Sequence, residues 1–170
     1  MNKDTLREEI AADEGVKKND AGEHIIYLDH LGLPTFGIGA LVKEHDQEYG
    51  KPVGTPVSED RVRQRFNLDI SVTIEDCRRL CDKVGVDFDE LDERYPDAAL
   101  CLCNMCFQLG FPRYSKFVKM WKNVAKAMDD PKAWLDVAAE AEDSRWFDQT
   151  PNRAKRITAR FRALADGKEG

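Results

Sequence analysis

Two carboxylates and a hydroxyl stand out in the first forty residues: Glu14 in Asp13-Glu14-Gly15, then Asp29 and Thr35 in Tyr27-Leu28-Asp29-His30-Leu31-Gly32-Leu33-Pro34-Thr35-Phe36-Gly37-Ile38-Gly39. One carboxyl that carries a proton to a leaving oxygen, and a second that stays charged to direct water, suffice to hydrolyse a glycosidic bond. A hydroxyl beside the charged acid can help to hold that water.

These groups need elements to bring them together. Asp4 to Asp13 reads as a short helix with Asp4 as N-cap, Leu6 and Ile10 on its inner side and Gly15 just past its end. Glu14 then sits beside unpaired helix carbonyls, where the dipole disfavours a negative charge and suits a proton carrier. Ile25 to Asp29 and Leu33 to Ile38 read as a hairpin turning at His30-Leu31-Gly32, which puts Asp29 on an exposed turn with Thr35 on the neighbouring strand.

The same residues carry a family resemblance. Asp13-Glu14-Gly15 with Tyr27-x-Asp29-x-x-Gly32-x-x-Thr35-x-Gly37-Ile38-Gly39-x-Leu41 resembles the catalytic signature of the phage-type lysozymes, typified by the enzyme of T-even bacteriophages. Asn104-Met105-Cys106-Phe107-Gln108-Leu109-Gly110 is similar to the central helix of that family's C-terminal lobe, and Ser144-Arg145-Trp146 through Arg156 to its Ser-Arg-Trp motif and last helix. The blocks occur in the family's order across nearly the whole chain. The resemblance implies Glu14 as general acid, Asp29 as second carboxylate and Thr35 as positioner of the attacking water. It also implies that Leu41, Phe107 and Gln108 line a glycan cleft and that Arg153 supports the site by compensating Glu14.

The fold expected is α+β and mainly α: two lysozyme-like lobes, with an N-terminal lobe at about 13–57, a connecting helix at about 58–84 and a helical C-terminal lobe at about 85–165 on which helix 4–13 packs. Ser58 should cap the connecting helix, whose inner residues run from Val62 through Phe66, Ile70, Ile74, Cys77 and Cys81 to Val84 before Gly85 stops it. Residues 44–57 read as polar surface loop. Further helices are expected near 89–95, 97–109, 115–128, 131–142 and 150–165, with a frayed end at 166–170.

Composition places limits on partners. With 26 Lys+Arg against 32 Asp+Glu, the net charge is −6, and no basic nucleic-acid footprint or motif is evident. Charge is uneven: residues 113–170 hold 13 basic and 9 acidic side chains, whereas residues 1–112 are acidic throughout, so the last third could face an anionic wall. No signal peptide or membrane span is visible, which implies synthesis in the host cytoplasm and access to the wall by release or delivery on a particle. Five cysteines cluster in helical stretches without paired Cys-x-x-Cys knuckles and read as buried thiols, and Trp121, Trp134 and Trp146 read as core rather than sugar platforms.

Two departures from the family stand out. Ala40 occupies a position where those lysozymes carry histidine, which would leave Asp69 without its partner; and the segment from Gly15 to Tyr27 is several residues longer, extending the hairpin or folding over the cleft. The function expected is hydrolysis of the β-1,4 bond between N-acetylmuramic acid and N-acetylglucosamine in peptidoglycan, by a monomer needing no cofactor or metal. The competing readings are a lytic transglycosylase, a non-catalytic wall-binding or virion structural protein, and, with poor ligand spacing, a zinc amidase using His24, His30 and His45.

Overall fold

The computed structural model describes residues 1–167; residues 168–170, part of the expected frayed end, lie outside the described residues. Helix α1 (Lys3–Glu14) is followed by strands β1 (His24–Ile25), β2 (Tyr27–Leu28), β3 (Pro34–Phe36), β4 (Ala40–Leu41) and β5 (Pro56–Val57). Then come α2 (Glu59–Asp82), α3 (Phe88–Arg94), α4 (Pro96–Tyr114), α5 (Val118–Ala127), a 3-10 turn (Pro131–Ala133), α6 (Trp134–Glu142), α7 (Arg145–Gln149) and α8 (Pro151–Ala165). This is the mainly α, lysozyme-like α+β architecture expected. No helix among the described residues is long and apolar enough to cross a membrane.

The chain forms two compact units, Arg7–Val72 and a second made of Met1–Leu6 with Thr73 onward. Helices α1 and α2 contribute residues to both. In the first unit, β2-β3-β4 form an antiparallel sheet and β1 pairs with β5. Ile26, Phe36, Ala40, Val57 and Val62 make its core.

Local chemistry explains where the helices begin and end. Asn2, not Asp4, caps α1: its Oδ1 accepts from Thr5 N at 3.1 Å. Ser58 Oγ accepts from Arg61 N at 3.2 Å at the start of α2. At its other end Gly85, at φ 74°, lets Val86 N reach Cys81 O (3.0 Å) and Gly85 N reach Asp82 O (3.1 Å), a Schellman closure that β-carbon-bearing residues adopt poorly. Asp87 caps α3 by accepting from Asp89 N and Glu90 N. Gly110, at φ 71° and ψ 156°, breaks α4 after Leu109.

The second unit is a helical assembly around buried aromatics. Trp134 stacks on Phe161 at 5.7 Å between centroids, and Trp121 meets Tyr114 edge-on at 4.9 Å. Trp121, Trp134 and Trp146 are all buried, as are the five free cysteines. Burial, and the neighbouring thiols of Cys103 and Cys81, push the Cys77 thiol far up.

The polar stretch at 44–57 departs from expectation. Asp46 and Glu48 are buried, 9% and 3% exposed, because α2 supplies their counter-charges. Arg61 grips both Glu48 oxygens at 2.9 Å and reaches Asp46 at 3.1 Å; Arg65 grips both Asp46 oxygens at 2.7 Å. Both guanidinium groups also lie over the Phe36 ring. The same Arg65 corrects the expectation for Asp69: Nε donates to Asp69 Oδ1 at 2.9 Å, so the carboxylate has an i,i+4 partner on its own helix although Ala40 offers none.

Candidate active site

Glu14 is the last residue of α1, and Gly15 at φ 68° turns the chain away, with its N–H bonded to Ala11 O. The Glu14 carboxylate lies against the Gly37-Ile38-Gly39 turn. A Cβ on Gly39 would come within 2.8 Å of Glu14 Oε2 and 3.3 Å of Cδ, and Gly39 is itself at φ +66°. On Gly37 a Cβ would meet Val62 Cγ1 at 2.8 Å. The two glycines therefore let the turn fit between an acid of α1 and a side chain of α2.

Asp29 is half-buried rather than exposed, and it organises its own turn. Its Oδ1 accepts from Leu31 N at 2.8 Å and Leu33 N at 2.9 Å, while its backbone bonds with Leu33 and Gly32. Thr35 is buried at 2% exposure in β3, and its Oγ1 donates to Leu33 O at 3.0 Å. The Asp29 carboxylate and the Thr35 hydroxyl are thus both anchored on Leu33.

Register adds a residue to which the sequence reading assigned no role. Tyr27 and Leu41 are the direct cross-strand partners of Thr35, so the three share one sheet face. The Tyr27 hydroxyl is shifted upward, first by burial, then by the charge of Glu14 and, more weakly, that of Asp29; a hydrogen bond from the Gly39 backbone pushes the other way. Both carboxylates therefore act on one phenol. The available signal was the spacing: Tyr27 and Asp29 are two apart, on one face of an extended chain.

The longer segment before β1 closes on itself. Asn19 N donates to Glu23 O at 2.9 Å, Glu23 N donates to Asn19 Oδ1 at 3.0 Å, and Lys18 bridges to His24. It brings the Lys17 ammonium over the Tyr27 ring at 4.9 Å, and buried His24 places Nε2 3.0 Å from Glu59 of α2.

The remaining expected residues belong to the other unit. Phe107 and Gln108 are half-buried on α4, and Gln108 Oε1 accepts from Trp146 Nε1 at 2.7 Å. Arg153, 8% exposed in the first turn of α8, is held by Asn104 through Nε to Oδ1 at 2.7 Å and through its terminal nitrogen to the backbone oxygen at 3.1 Å. Ser144 caps α7, a separate short helix within the Ser-Arg-Trp block. Thr150 marks the start of α8 but turns its hydroxyl back to Trp146 O at 2.9 Å.

No protein-family model matches the chain. Two Dictyostelium discoideum proteins, "Probable T4-type lysozyme 2" and "Probable T4-type lysozyme 1", are 27% and 25% identical to it over 167 residues, covering 92% and 87% of this chain and 93% and 92% of theirs. The chain is T4-type lysozyme-like. The pre-baseplate central spike protein Gp5 of Enterobacteria phage T4 is 25% identical over 165 residues, which are 91% of this lysozyme-like chain and 27% of Gp5.

Proposed function

We propose that this lysozyme-like chain is a peptidoglycan hydrolase of the muramidase type, cleaving the β-1,4 bond between N-acetylmuramic acid and N-acetylglucosamine. The observation that carries the reading is that the Glu14 carboxylate lies against Gly39 in the turn between β3 and β4, in the unit that also holds Asp29, Thr35 and Leu41. Similarity to proteins named T4-type lysozymes supports it.

In this reading Glu14 gives its proton to the glycosidic oxygen as the bond to the anomeric carbon breaks. Asp29, oriented by the two amides on Oδ1, uses its other oxygen to align a water on the opposite face of the sugar and take a proton from it. Thr35 has committed its own proton to Leu33 O, so it offers lone pairs to that water's second hydrogen. The water oxygen bonds to the anomeric carbon with inversion. Leu41, Phe107 and Gln108 would contact sugar, and Arg153 is a supporting residue. Two carboxylates supply both acid and base, so the scheme calls for no cofactor.

The test is wall clearing by the full chain and by Glu14→Gln and Asp29→Ala on defined peptidoglycan. Each substitution should lower the rate by about 100-fold or more, and full activity in either removes that residue from the mechanism. Mass spectra of the released muropeptides should show added water; anhydro products would instead make the chain a lytic transglycosylase.

A further inference from the structure

In the unit formed by 1–6 and 73 onward, most surface arginines already face carboxylates. Arg78 pairs with Asp89 at 2.8 Å, Arg79 with Asp76 at 3.0 Å, Arg94 with Glu90 at 3.0 Å and Arg162 with Glu142 at 2.6 Å. Lys116, Lys119, Lys122 and Lys126 differ: all four are exposed, and none has a carboxylate within ion-pair reach among the described residues. The sequence leaves them so. Residues 98–128 hold five Lys+Arg and no Asp or Glu, in a chain with 32 acids among 170 residues.

Helix α5 turns this composition into a surface. Met120, Trp121, Val124 and Ala127 are its buried face, and Lys119, Lys122 and Lys126 recur at three- and four-residue steps on the opposite one. Lys116, in the turn before α5, continues the spacing, and Asp129 and Asp130 bound the row at its far end. At 1.5 Å per residue the helical part is roughly 10 Å long. Like charges at such spacing repel and weaken the helix that bears them. An external polyanion would relieve that repulsion.

We propose that this lysine row docks the chain onto the peptidoglycan sacculus through the free carboxylates of its stem peptides, separately from the residues that would cleave the glycan. The inference rests on the peptidoglycan reading above and names a second contact with that polymer. Ammonium groups are compact point charges on flexible stems, which suits repeated anions at variable spacing better than one bidentate ligand. A row suits an extended polymer better than a single small anion. The net charge of −6 does not oppose it, since charges farther away than about 8 Å are largely screened at physiological ionic strength.

The test uses the full chain carrying Glu14→Gln, so that the wall is not consumed, mixed with sacculi stripped of phosphate-bearing polymers. The pelleted fraction is measured across a salt series. Replacing Lys116, Lys119, Lys122 and Lys126 by Gln should weaken pelleting about tenfold or more and flatten its salt dependence. A control replacing the equally exposed Lys3, Lys51, Lys132 and Lys155 by Gln makes the same change in net charge and should shift pelleting less than about twofold. Unchanged pelleting in the row variant, or equal loss in both, overturns the proposal. So does binding that needs the phosphate-bearing polymers or goes to anionic lipid vesicles instead. Lysine-dependent pelleting by a chain whose unsubstituted form clears no wall would sink the hydrolase reading and leave the docking surface standing. Wall clearing with lysine-independent pelleting does the reverse.

Discussion

Gly39 is a glycine for two separable reasons: its φ of +66° and the Glu14 carboxylate resting where its Cβ would be. Gly39→Ala should therefore cost about 1–3 kcal/mol of backbone strain and displace Glu14, lowering wall clearing by more than the loss of folded protein explains. Urea unfolding beside a clearing assay separates the two, and wild-type clearing per folded molecule would show that Glu14 tolerates the push. Tyr27→Phe asks a gentler question. Removing a half-buried phenol hydroxyl should cost about 1 kcal/mol or less while leaving the sheet register intact, as amide exchange in β2 and β3 would report. Glu14, Asp29 and Thr35 stand out in the sequence as two carboxylates and a hydroxyl on short elements that could face one another, and the roles expected of them come from the family resemblance. That Asp29 caps its own turn through Leu31 and Leu33 follows from local turn chemistry. The influence of both acids on Tyr27 does not, since it depends on α1 meeting the Gly37-Ile38-Gly39 turn.

The acid–arginine lattice that ties 43–48 to α2 governs how the small unit answers to pH and mutation. Burial raises Asp46 and Glu48, but hydrogen bonds from the Lys43 amide and Arg65 to Asp46, and from Arg61 to Glu48, outweigh it and hold both below the usual carboxylate range. Their folded-state values are depressed, so the stability they contribute is full above the unfolded value near pH 4 and is lost as pH falls through the folded values. Asp69 has the opposite sign. Burial raises it more than Arg65 lowers it, so its contribution declines as pH rises above about 4. An acid titration should therefore show Asp69→Asn abolishing a gain in stability that Asp69 contributes as pH falls towards about 4; an unchanged slope in that range would remove Asp69 from the balance. Arg65→Met leaves Asp46 to Arg61 and the Lys43 amide, takes from Asp69 its i,i+4 partner and breaks the bond from Arg65 to Leu41 O at 3.0 Å, which steadies β4. The expected cost is about 3–5 kcal/mol in urea unfolding followed by circular dichroism. The long helices were legible because apolar residues at three- and four-residue steps are a strong signal. Strands of two or three residues carry no period, and β5 lay hidden in a stretch read as loop. Nor could burial of Asp46 and Glu48 be read locally, because it is decided by arginines on α2 that lie 13 to 19 residues away.

At the scale of the whole molecule, the five thiols are buried and unpaired in one unit, Met1–Leu6 with Thr73 onward. Native protein should react with a thiol reagent only as fast as that unit opens, and labelling of any cysteine at the rate of a free thiol would contradict its burial. The indoles share this confinement: Trp121, Trp134 and Trp146 all belong to the same unit, and Arg7–Val72 contains none. Intrinsic emission excited at long ultraviolet wavelengths is consequently a one-sided reporter, silent about the segment that carries both acids. A melt followed by emission and another followed by amide signals from residues 7–72 observe different halves of the same polypeptide, and coincidence of the two curves would be a measurement of how tightly those halves cooperate.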